Sequence, residues 1–374
     1  MQVNDNVRMK HFGNFIALLI LAINALFTGL LLLVAYSPYI QPVTHPVQSC
    51  FGLTFPIFAL INGAFLIFWL VIQRYKTALL PLIGFLLCYS QLRTYLPLNF
   101  HTANPPEESI KFLSYNIMGF NGAVKKDGKN PILTYLKESN ADILCLQEYA
   151  SAESPRRLTQ KDIERELKDY PYHRISVVGS GSGYTNKIAC YSKFPILSAR
   201  VLNYPSGYNG SVLYELKLNE DTITLINNHL ESNKLTKADK DIYEDILKAP
   251  EKEKVKSGAR LLVHKLAAAS AIRAPQADTI AREIASSRYP SVIVCGDFND
   301  TPISYAHRVI AQNLDDAFTQ SGRGLGISYN QNKFYFRIDN ILISKNLQSY
   351  NCTVDRSIKE SDHYPIWCYI AKRQ

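Results

Sequence analysis

Polar side chains that can bind a metal ion or move a proton stand at the ends of apolar runs from residue 110 onward. In VIVCGDFND (292–300), a buried-type run leads directly into carboxylates and an amide. A single Asn or Asp after a strand usually begins a turn, and a single His usually fills a polar edge. That explanation weakens for a recurrent pattern, which comprises Asn116, Glu148, His229, Asp297 with Asn299, Asp339, and Asp362 with His363.

The chemistry of this set is that of a metal site. Carboxylates beside apolar runs are costly to bury unless a cation or hydrogen-bond donors meet them. Oxygen and imidazole ligands without cysteine favour a hard divalent ion, Mg²⁺ or Mn²⁺, over structural zinc. The seven cysteines form no CxxC motif and no Cys/His pair at zinc spacing, so free thiols are expected.

Alternating strand-like and helix-like segments must position these side chains. The strand-like runs are 110–116, 141–148, 188–192, 222–230, 291–299, 337–343 and 362–370. Helical spacing occurs at 131–140 and 275–288, and 234–272 is rich in Lys, Glu and Ala. This order predicts an α/β sandwich domain at 110–374, preceded by a linker at 101–109.

Residues 1–100 have the composition of a membrane domain. Stretches 14–36 and 50–72 contain no charged side chain, and each is long enough to cross a hydrocarbon core of about 30 Å. Stretch 78–98 contains a proline and an arginine; it is predicted as a third span, with a re-entrant or interfacial segment as the alternative. A cleaved secretory signal is disfavoured because the first apolar run is too long.

The basic residues near the spans predict the orientation. Arg8 and Lys10 precede the first span, Arg74 and Lys76 follow the second, and the loop 37–49 has no Lys or Arg. By the positive-inside rule, three spans put the amino terminus in the cytoplasm and the large domain outside. We therefore expect an integral protein of a bacterial inner membrane with a periplasmic domain, whereas two spans would return that domain to the cytoplasm.

The charge of the domain is only mildly basic. Five of the 41 basic residues and one of the 32 acidic residues precede residue 101, which leaves a net charge of +5 in the remainder. This balance permits an anionic substrate without demanding nucleic acid.

Seven motifs carry a family resemblance over residues 110–372. In chain order they are SYN, LQE, YSKFPI, NNHLES, GDFND, RIDNIL and SDHYPI. Together they resemble the endonuclease/exonuclease/phosphatase (deoxyribonuclease I-like) superfamily, here in a membrane-anchored bacterial form; the pair GDFN and SDH is the most specific. The resemblance implies a four-layer αββα sandwich, with two mixed β-sheets flanked by helices. The apolar stretches of residues 1–100, which lie outside the resemblance, predict about three transmembrane helices before it.

The resemblance also implies a metal site centred on Glu148. Asn116 and Asp362 would complete or support it. Some family members carry an acidic residue two positions after the first of these asparagines, where this chain has Met118. A one-metal site, holding Mg²⁺ or Mn²⁺, is therefore expected.

The remaining members of the set would act on water and phosphate. The resemblance implies that Asp297 orients and deprotonates the attacking water and that Asn299 fixes this carboxylate or a phosphate oxygen. His229 and His363 would contact the phosphate, and Asp339 would hold His363 in the useful tautomer. An in-line water, a charge clamp and help for the leaving alkoxide are what phosphate-ester hydrolysis requires.

The expected function is a membrane-tethered, divalent-metal-dependent phosphoesterase, preferentially a phosphodiesterase. The alternatives are a nuclease acting on DNA or RNA, with Arg156, Arg157 and segment 320–336 as possible backbone contacts, and an inactive binding module. The substrate is expected to be a phosphate ester of a lipid head group, a nucleic acid or a small molecule. The N-terminal helices would contact the bilayer, and no protein partner can be inferred.

Overall fold

A computed structural model describes residues 2–126, 128–154, 157–181, 184–248, 252–329, 331 and 334–373. The helices are α1 (Gln2–Ala35), α2 (Pro46–Ser49), α3 (Phe55–Val71), α4 (Tyr75–Leu87), α5 (Tyr89–Tyr95), α6 (Met118–Ala123), α7 (Pro131–Glu138), α8 (Gln160–Glu166), α9 (Lys237–Lys248), α10 (Lys252–Ala285), α11 (Tyr305–Ile310) and α12 (Ala317–Ser321). The strands are β1 (Ile110–Asn116), β2 (Ile143–Gln147), β3 (Tyr172–Gly181), β4 (Tyr184–Ser192), β5 (Ile196–Val201), β6 (Gly210–Leu218), β7 (Asp221–His229), β8 (Val292–Asp297), β9 (Leu314–Asp316), β10 (Asp339–Ser344), β11 (Leu347–Val354) and β12 (Ile366–Lys372).

Helices α1, α3 and α4 pack side by side as a bundle with two distinct ends. At one end, in the turn between α3 and α4, Arg74 donates a hydrogen bond to Asn14 over 3.0 Å. At the other end, the Tyr36 hydroxyl donates to the Leu87 carbonyl over 2.7 Å. The part of α1 between these contacts rises about 33 Å at 1.5 Å per residue, close to the thickness of a hydrocarbon core.

Two helical segments of this bundle, Phe12–Ala35 and Pro46–Val71, are long and apolar enough to cross a membrane. The predicted third span, 78–98, is divided. It falls on the 13-residue α4 and the seven-residue α5, which are separated by a distorted backbone at Cys88. Helix α4 alone is shorter than the about 20 residues that a span needs.

The bundle is apolar outside and buries a few hydrogen-bonded polar side chains within its apolar interior. Large apolar side chains of α1, α3 and α4 face outward. Between α1 and α3, the Trp69 indole donates to Asn24 over 3.0 Å, and the Thr28 hydroxyl donates to Asn62 over 2.8 Å. Outward apolar surface with hydrogen bonds between helices is typical of membrane bundles.

The rest of the chain forms two packed sheets. Their strand orders are β11-β12-β1-β2-β4-β3 and β5-β6-β7-β8-β10-β9. Apolar residues from both inner faces, among them Phe112, Val212 and Ile293, form one core. Helices α7 and α8 cover the first sheet and α10 and α11 the second. The prediction of two mixed sheets flanked by helices is confirmed.

Strand direction brings the polar strand ends to one edge of the sandwich. The pairs β1/β2 and β7/β8 are parallel, and Asn116 at the end of β1 bonds to Asp297 at the end of β8, so all four carboxyl ends lie on the same side. Strands β10 and β12 run antiparallel to β8 and β1 and therefore begin at that edge. The register sets Asp297 opposite His229 on one side and opposite Asp339 on the other.

The second end of the bundle rests directly on the sandwich. Arg308 donates to the carbonyl of Pro38 over 2.8 Å, and Arg337 donates to the carbonyl of Thr94 over 2.7 Å. A Cβ at Gly52 would collide with the backbone of the loop before α11, so glycine permits this close approach. In the predicted linker, Thr102 exchanges two hydrogen bonds with Asn351 of β11, each 2.8 Å long.

Candidate active site

A cavity of about 500 Å³ opens at the edge where the polar strand ends meet. Six of the predicted site residues line it: Glu148, His229, Asp297, Asn299, Asp362 and His363. The other two, Asn116 and Asp339, are buried behind this wall and bond to members of it. The structure therefore brings all eight residues together.

Asn116, at the end of β1, joins two carboxylates from different sheets. Its side-chain NH₂ donates to Glu148 Oε1 over 3.0 Å and to Asp297 Oδ2 over 3.1 Å. Its side-chain oxygen Oδ1 accepts a hydrogen bond from the backbone N–H of Met118 over 3.2 Å. Because these bonds hold the amide on both sides, Asn116 fixes the spacing between Glu148 and Asp297.

Strained backbone positions follow two of the strands. Glu148, after β2, has φ +50°, and Asn299, after β8, has φ +52°. Left-handed angles are uncommon for residues other than glycine and concentrate at functional sites. Gly296, with φ +120°, permits close packing on β7, since a Cβ there would collide with the backbone of Asn228. The chain thus turns sharply where the side chains must enter the cavity.

Asn299 contacts Asp297 through its backbone. Its N–H donates to Asp297 Oδ1 over 2.8 Å, while its side-chain NH₂ donates to the Leu230 carbonyl over 3.0 Å. The amide therefore ties the loop after β8 to the end of β7.

His363 and Asp339 form a buried imidazole–carboxylate pair. His363 Nδ1 lies 2.8 Å from Asp339 Oδ2, and its Nε2 lies 3.6 Å from Asp297 Oδ2. Burial opposes a charged imidazole, but the carboxylates of Asp339 and Asp297 outweigh it and raise the pKa of His363 well above its usual value. His363 is thus held as a proton donor with Nε2 directed toward the other carboxylate.

His229 has the opposite electrostatic character. Asn186 Nδ2 lies 3.1 Å from His229 Nδ1, and the same NH₂ donates to the Tyr208 carbonyl. A donating amide requires an unprotonated Nδ1, which assigns the proton to Nε2. Burial lowers the pKa of His229, despite the raising effect of Asp297. The neutral ring therefore offers an N–H at Nε2, which lies 3.6 Å from Glu148 and 3.7 Å from Asp297.

Among the described residues, the carboxylates of the site lack the lysine or arginine partners that would offset the cost of their burial. Burial is the main cause that raises the pKa of Glu148 above its usual value and that of Asp297 to about 6. Asp339 Oδ1 is buried without a hydrogen-bond partner. In the described part of the chain, no Lys or Arg forms an ion pair with Glu148, Asp297, Asp339 or Asp362.

This donor set fits a divalent cation. Asp297, Asp339 and His363 offer ligand atoms within 4.8 Å of one another. Glu148 and Asp362 are partly exposed and line the same cavity, so they offer a second, more accessible group of oxygens. Of the two groups, Glu148 and Asp362 offer oxygens that a hard divalent ion prefers and that the open cavity makes accessible.

Several residues that sequence reasoning missed support the site. Ser361 donates to the Asn116 carbonyl over 2.7 Å and accepts from the His363 backbone, which fixes the segment before β12 against β1. Lys240 donates to the Tyr329 hydroxyl over 2.7 Å, and that ring packs edge-on against His363. The SDH motif contained the serine, but no local pattern indicated the lysine because α9 reaches the cavity only in the folded chain.

Two family models match the chain, in separate regions. Residues 113–363 match the model of the Endonuclease/Exonuclease/phosphatase family, and residues 17–95 match a domain of unknown function (DUF8431). None of the curated proteins compared matches the chain.

Solved structures are similar at low sequence identity. The endonuclease/exonuclease/phosphatase from Beutenbergia cavernae is 13% identical, with a TM-score of 0.50 over 71% of this chain and 72% of that one. The catalytic domain of human Nocturnin, with bound sulfate, is 15% identical, with a TM-score of 0.49 over 74% and 97%. A humanized D. rerio TDP2 is 14% identical, with a TM-score of 0.48 over 71% and 100%. The first of these likenesses supports the fold.

Proposed function

The chain belongs to the endonuclease/exonuclease/phosphatase family, whose members hydrolyse phosphoester bonds, and from this premise we propose a membrane-tethered, divalent-metal-dependent phosphodiesterase. The observation that carries the proposal is the convergence of three carboxylates and two imidazoles at one cavity, with a fourth carboxylate, Asp339, bonded directly behind it, and without a Lys or Arg ion pair among the described residues. Catalysis needs such charges where phosphate and water meet.

Glu148 and Asp362 would hold the ion, with Asn116 supporting the position of Glu148. A bound divalent ion supplies charge for the phosphoryl oxygens and lowers the pKa of a bound water. This assignment retains the expected one-metal site.

The protein groups would divide the proton transfers. Asp297 has a pKa of about 6 because it is buried, so its carboxylate can accept a proton from water near neutral pH. His363, charged by its pairing with Asp339, and His229, through its Nε2–H, can donate to phosphoryl oxygens. These donors suit the single negative charge of a phosphodiester.

Catalytic activity is tested with the purified full chain in detergent against bis(4-nitrophenyl) phosphate, 4-nitrophenyl phosphate, single- and double-stranded DNA, RNA and phospholipids. We expect hydrolysis of diesters with Mg²⁺ or Mn²⁺ and none after chelation. Activity undiminished by exhaustive chelation would contradict the metal assignment, and a strict preference for nucleic acid would favour a nuclease. Of the backbone contacts considered for a nuclease, Arg156 and residues 330 and 332–333 lie outside the described residues.

The geometry of the bundle supports an extracytoplasmic domain. Arg74 lies at the end of the bundle where it contacts Asn14, while Pro38 and Thr94 contact the sandwich from the opposite end. Helices α4 and α5 would together form the third span, since the Cys88 N–H donates to the Gly84 carbonyl of α4 over 3.2 Å while the Cys88 carbonyl accepts from the Leu92 N–H of α5 over 3.0 Å. With the basic end in the cytoplasm, the sandwich would face the periplasm of a bacterial inner membrane.

A reporter fused after residue 374 tests this orientation. We expect alkaline phosphatase activity from one fusion and no fluorescence from the matching green fluorescent protein fusion. The reverse pattern would mean two spans and a cytoplasmic enzyme.

A further inference from the structure

We propose that the cavity binds one apolar chain of a membrane phosphate-ester amphiphile, with the phosphate at the catalytic residues and the chain along an apolar wall. This inference rests on the proposed phosphodiesterase function and names its substrate class.

The apolar wall comes from two elements outside the strand ends. Leu262, Val263 and Leu266, on one face of α10, line the cavity together with Leu53 and Ile57 from the end of the bundle. None of these side chains serves the chemistry of the polar edge. A surface of this kind gains free energy by removing hydrocarbon from water.

Aromatic rings extend the wall beside the catalytic groups. The rings of Tyr243 and Phe334 stack with centroids 4.0 Å apart, and both line the cavity with Phe336. Tyr329, which packs against His363, joins this aromatic side to the polar edge. The cavity is therefore amphipathic, with polar groups at its catalytic end and apolar groups along its length.

The charge of the cavity is unsuited to a polyanion. Among the described residues that line it, the lysines and arginines are Lys234, Lys240 and Arg273. Lys234 pairs with Glu231, and Arg273 is buried and bonded to Asp300. Lys240 donates to the neutral Tyr329 hydroxyl, so among the described lining residues it alone is a cation without a carboxylate partner. A nucleic-acid backbone normally meets a series of available cations, whereas one phosphate and an apolar chain match this wall.

The position of the wall specifies the source of the chain. Leu53 and Ile57 belong to the Pro46–Val71 segment, which is apolar enough to cross a membrane. Ile57 is 56% exposed and Leu60, one turn farther along, is 76% exposed. The apolar side of the cavity is thus continuous with the outward face of a candidate span, so a chain can pass from bilayer to cavity without crossing water.

Chain-length dependence tests the proposal. The full chain in lipid nanodiscs is supplied with Mn²⁺ and the methyl, hexyl or dodecyl diester of 4-nitrophenyl phosphate, below micellar concentrations. Each CH₂ that leaves water should raise kcat/KM by at most about fourfold, and we expect at least about tenfold between methyl and dodecyl esters. Leu266→Asn should remove most of this preference, as should Val263→Asn if the first variant folds poorly.

Leu261→Asn is the matched control. Leu261 lies on the same helix, is 42% exposed and does not line the cavity, so the preference for the dodecyl ester should persist. Partition of esters into the nanodisc is common to all variants and cancels in this comparison.

Binding of dodecylphosphonic and methylphosphonic acids, measured by calorimetry, separates this inference from the proposed function. Selective binding of the longer acid, lost in Leu266→Asn and kept in Leu261→Asn, supports the wall even if no ester is hydrolysed, in which case the proposed function fails. Equal rates and equal binding for short and long chains overturn the inference while leaving a phosphodiesterase intact.

Discussion

The bundle and the sandwich bury polar groups for different purposes. In the bundle, Asn24, Thr28, Asn62 and Trp69 are neutral, and each forms a hydrogen bond with another member of the group. In the sandwich, the buried polar edge is ionisable, and Asp339 Oδ1 has no partner. The first arrangement joins helices, whereas the second retains unmet charge, as expected of a site that a ligand completes.

The two regions also place their apolar side chains in opposite ways. Apolar side chains cover the bundle but lie between the sheets of the sandwich. In the lipid environment proposed for the bundle, no hydrogen bonds come from the surroundings, so polar groups would have to find partners inside the bundle. In water, apolar burial organises the core instead. Removing one buried polar partner should therefore have unequal consequences in the two regions.

The largest effect is expected at the ionisable edge. Asp339→Asn should leave the fold intact but lower turnover by about two to four orders of magnitude, because His363 loses the group that charges and orients it. The measurement is steady-state kcat with Mn²⁺ saturating. Asp315→Asn, at a surface ion pair with Lys345, is the matched control and should retain activity. Wild-type turnover in Asp339→Asn would remove this pair from the mechanism.

A buried ion pair elsewhere in the sandwich should affect stability. Arg337 binds both oxygens of Asp316 at 3.2 and 2.9 Å. Arg337→Met should lower the free energy of unfolding by about 3–5 kcal/mol, because the remaining carboxylate stays buried without the guanidinium, its permanently charged partner. Urea unfolding followed by tryptophan fluorescence measures the change, and a loss below about 1 kcal/mol, as for a surface pair, would contradict it.

The same pair predicts a pH dependence. Burial opposes ionisation of Asp316, but Arg337 and His307 outweigh it and hold its pKa well below the usual range. A depressed pKa contributes stability above the unfolded value of about 3.9, and that contribution declines as pH falls toward the folded value. The stability difference between wild type and Asp316→Asn should therefore be constant near neutrality and shrink below about pH 4. A constant difference down to pH 3 would count against this pairing.

The smallest effect is expected inside the bundle. Thr28→Val removes the hydroxyl that donates to Asn62, and hydrogen bonds between membrane helices contribute only about 0.6 kcal/mol on average. Denaturation in mixed detergent micelles should show a change of that size. A loss of several kcal/mol would mean that the two regions use buried polar groups alike.

Local sequence was sufficient for some features and insufficient for others. Six strand-end motifs contained the site residues. The sandwich could be predicted because strands such as 143–147 and 292–297 are apolar along nearly their whole length, which is the pattern of strands that are buried on both faces. The opposition of Asp339 and Asp297 depends on sheet register, which no single motif encodes. The apolar wall could not be predicted, since it requires α10 and residue 57 to meet across some two hundred residues of chain. The break of the predicted third span at Cys88 could not be predicted either, since the residues that interrupt its apolar run are Pro81 and Arg93.

Mn²⁺ binding, measured by electron paramagnetic resonance, shows whether Glu148 and its neighbours hold a catalytic divalent ion. The full chain should bind one Mn²⁺, with occupancy tracking hydrolysis. Glu148→Gln should lose both, while Asp315→Asn retains both. Binding that survives in Glu148→Gln but is lost in Asp339→Asn would instead assign the ion to the buried cluster of Asp297, Asp339 and His363. Hydrolysis by a chain shown to be free of metal would contradict metal-dependent catalysis at this site.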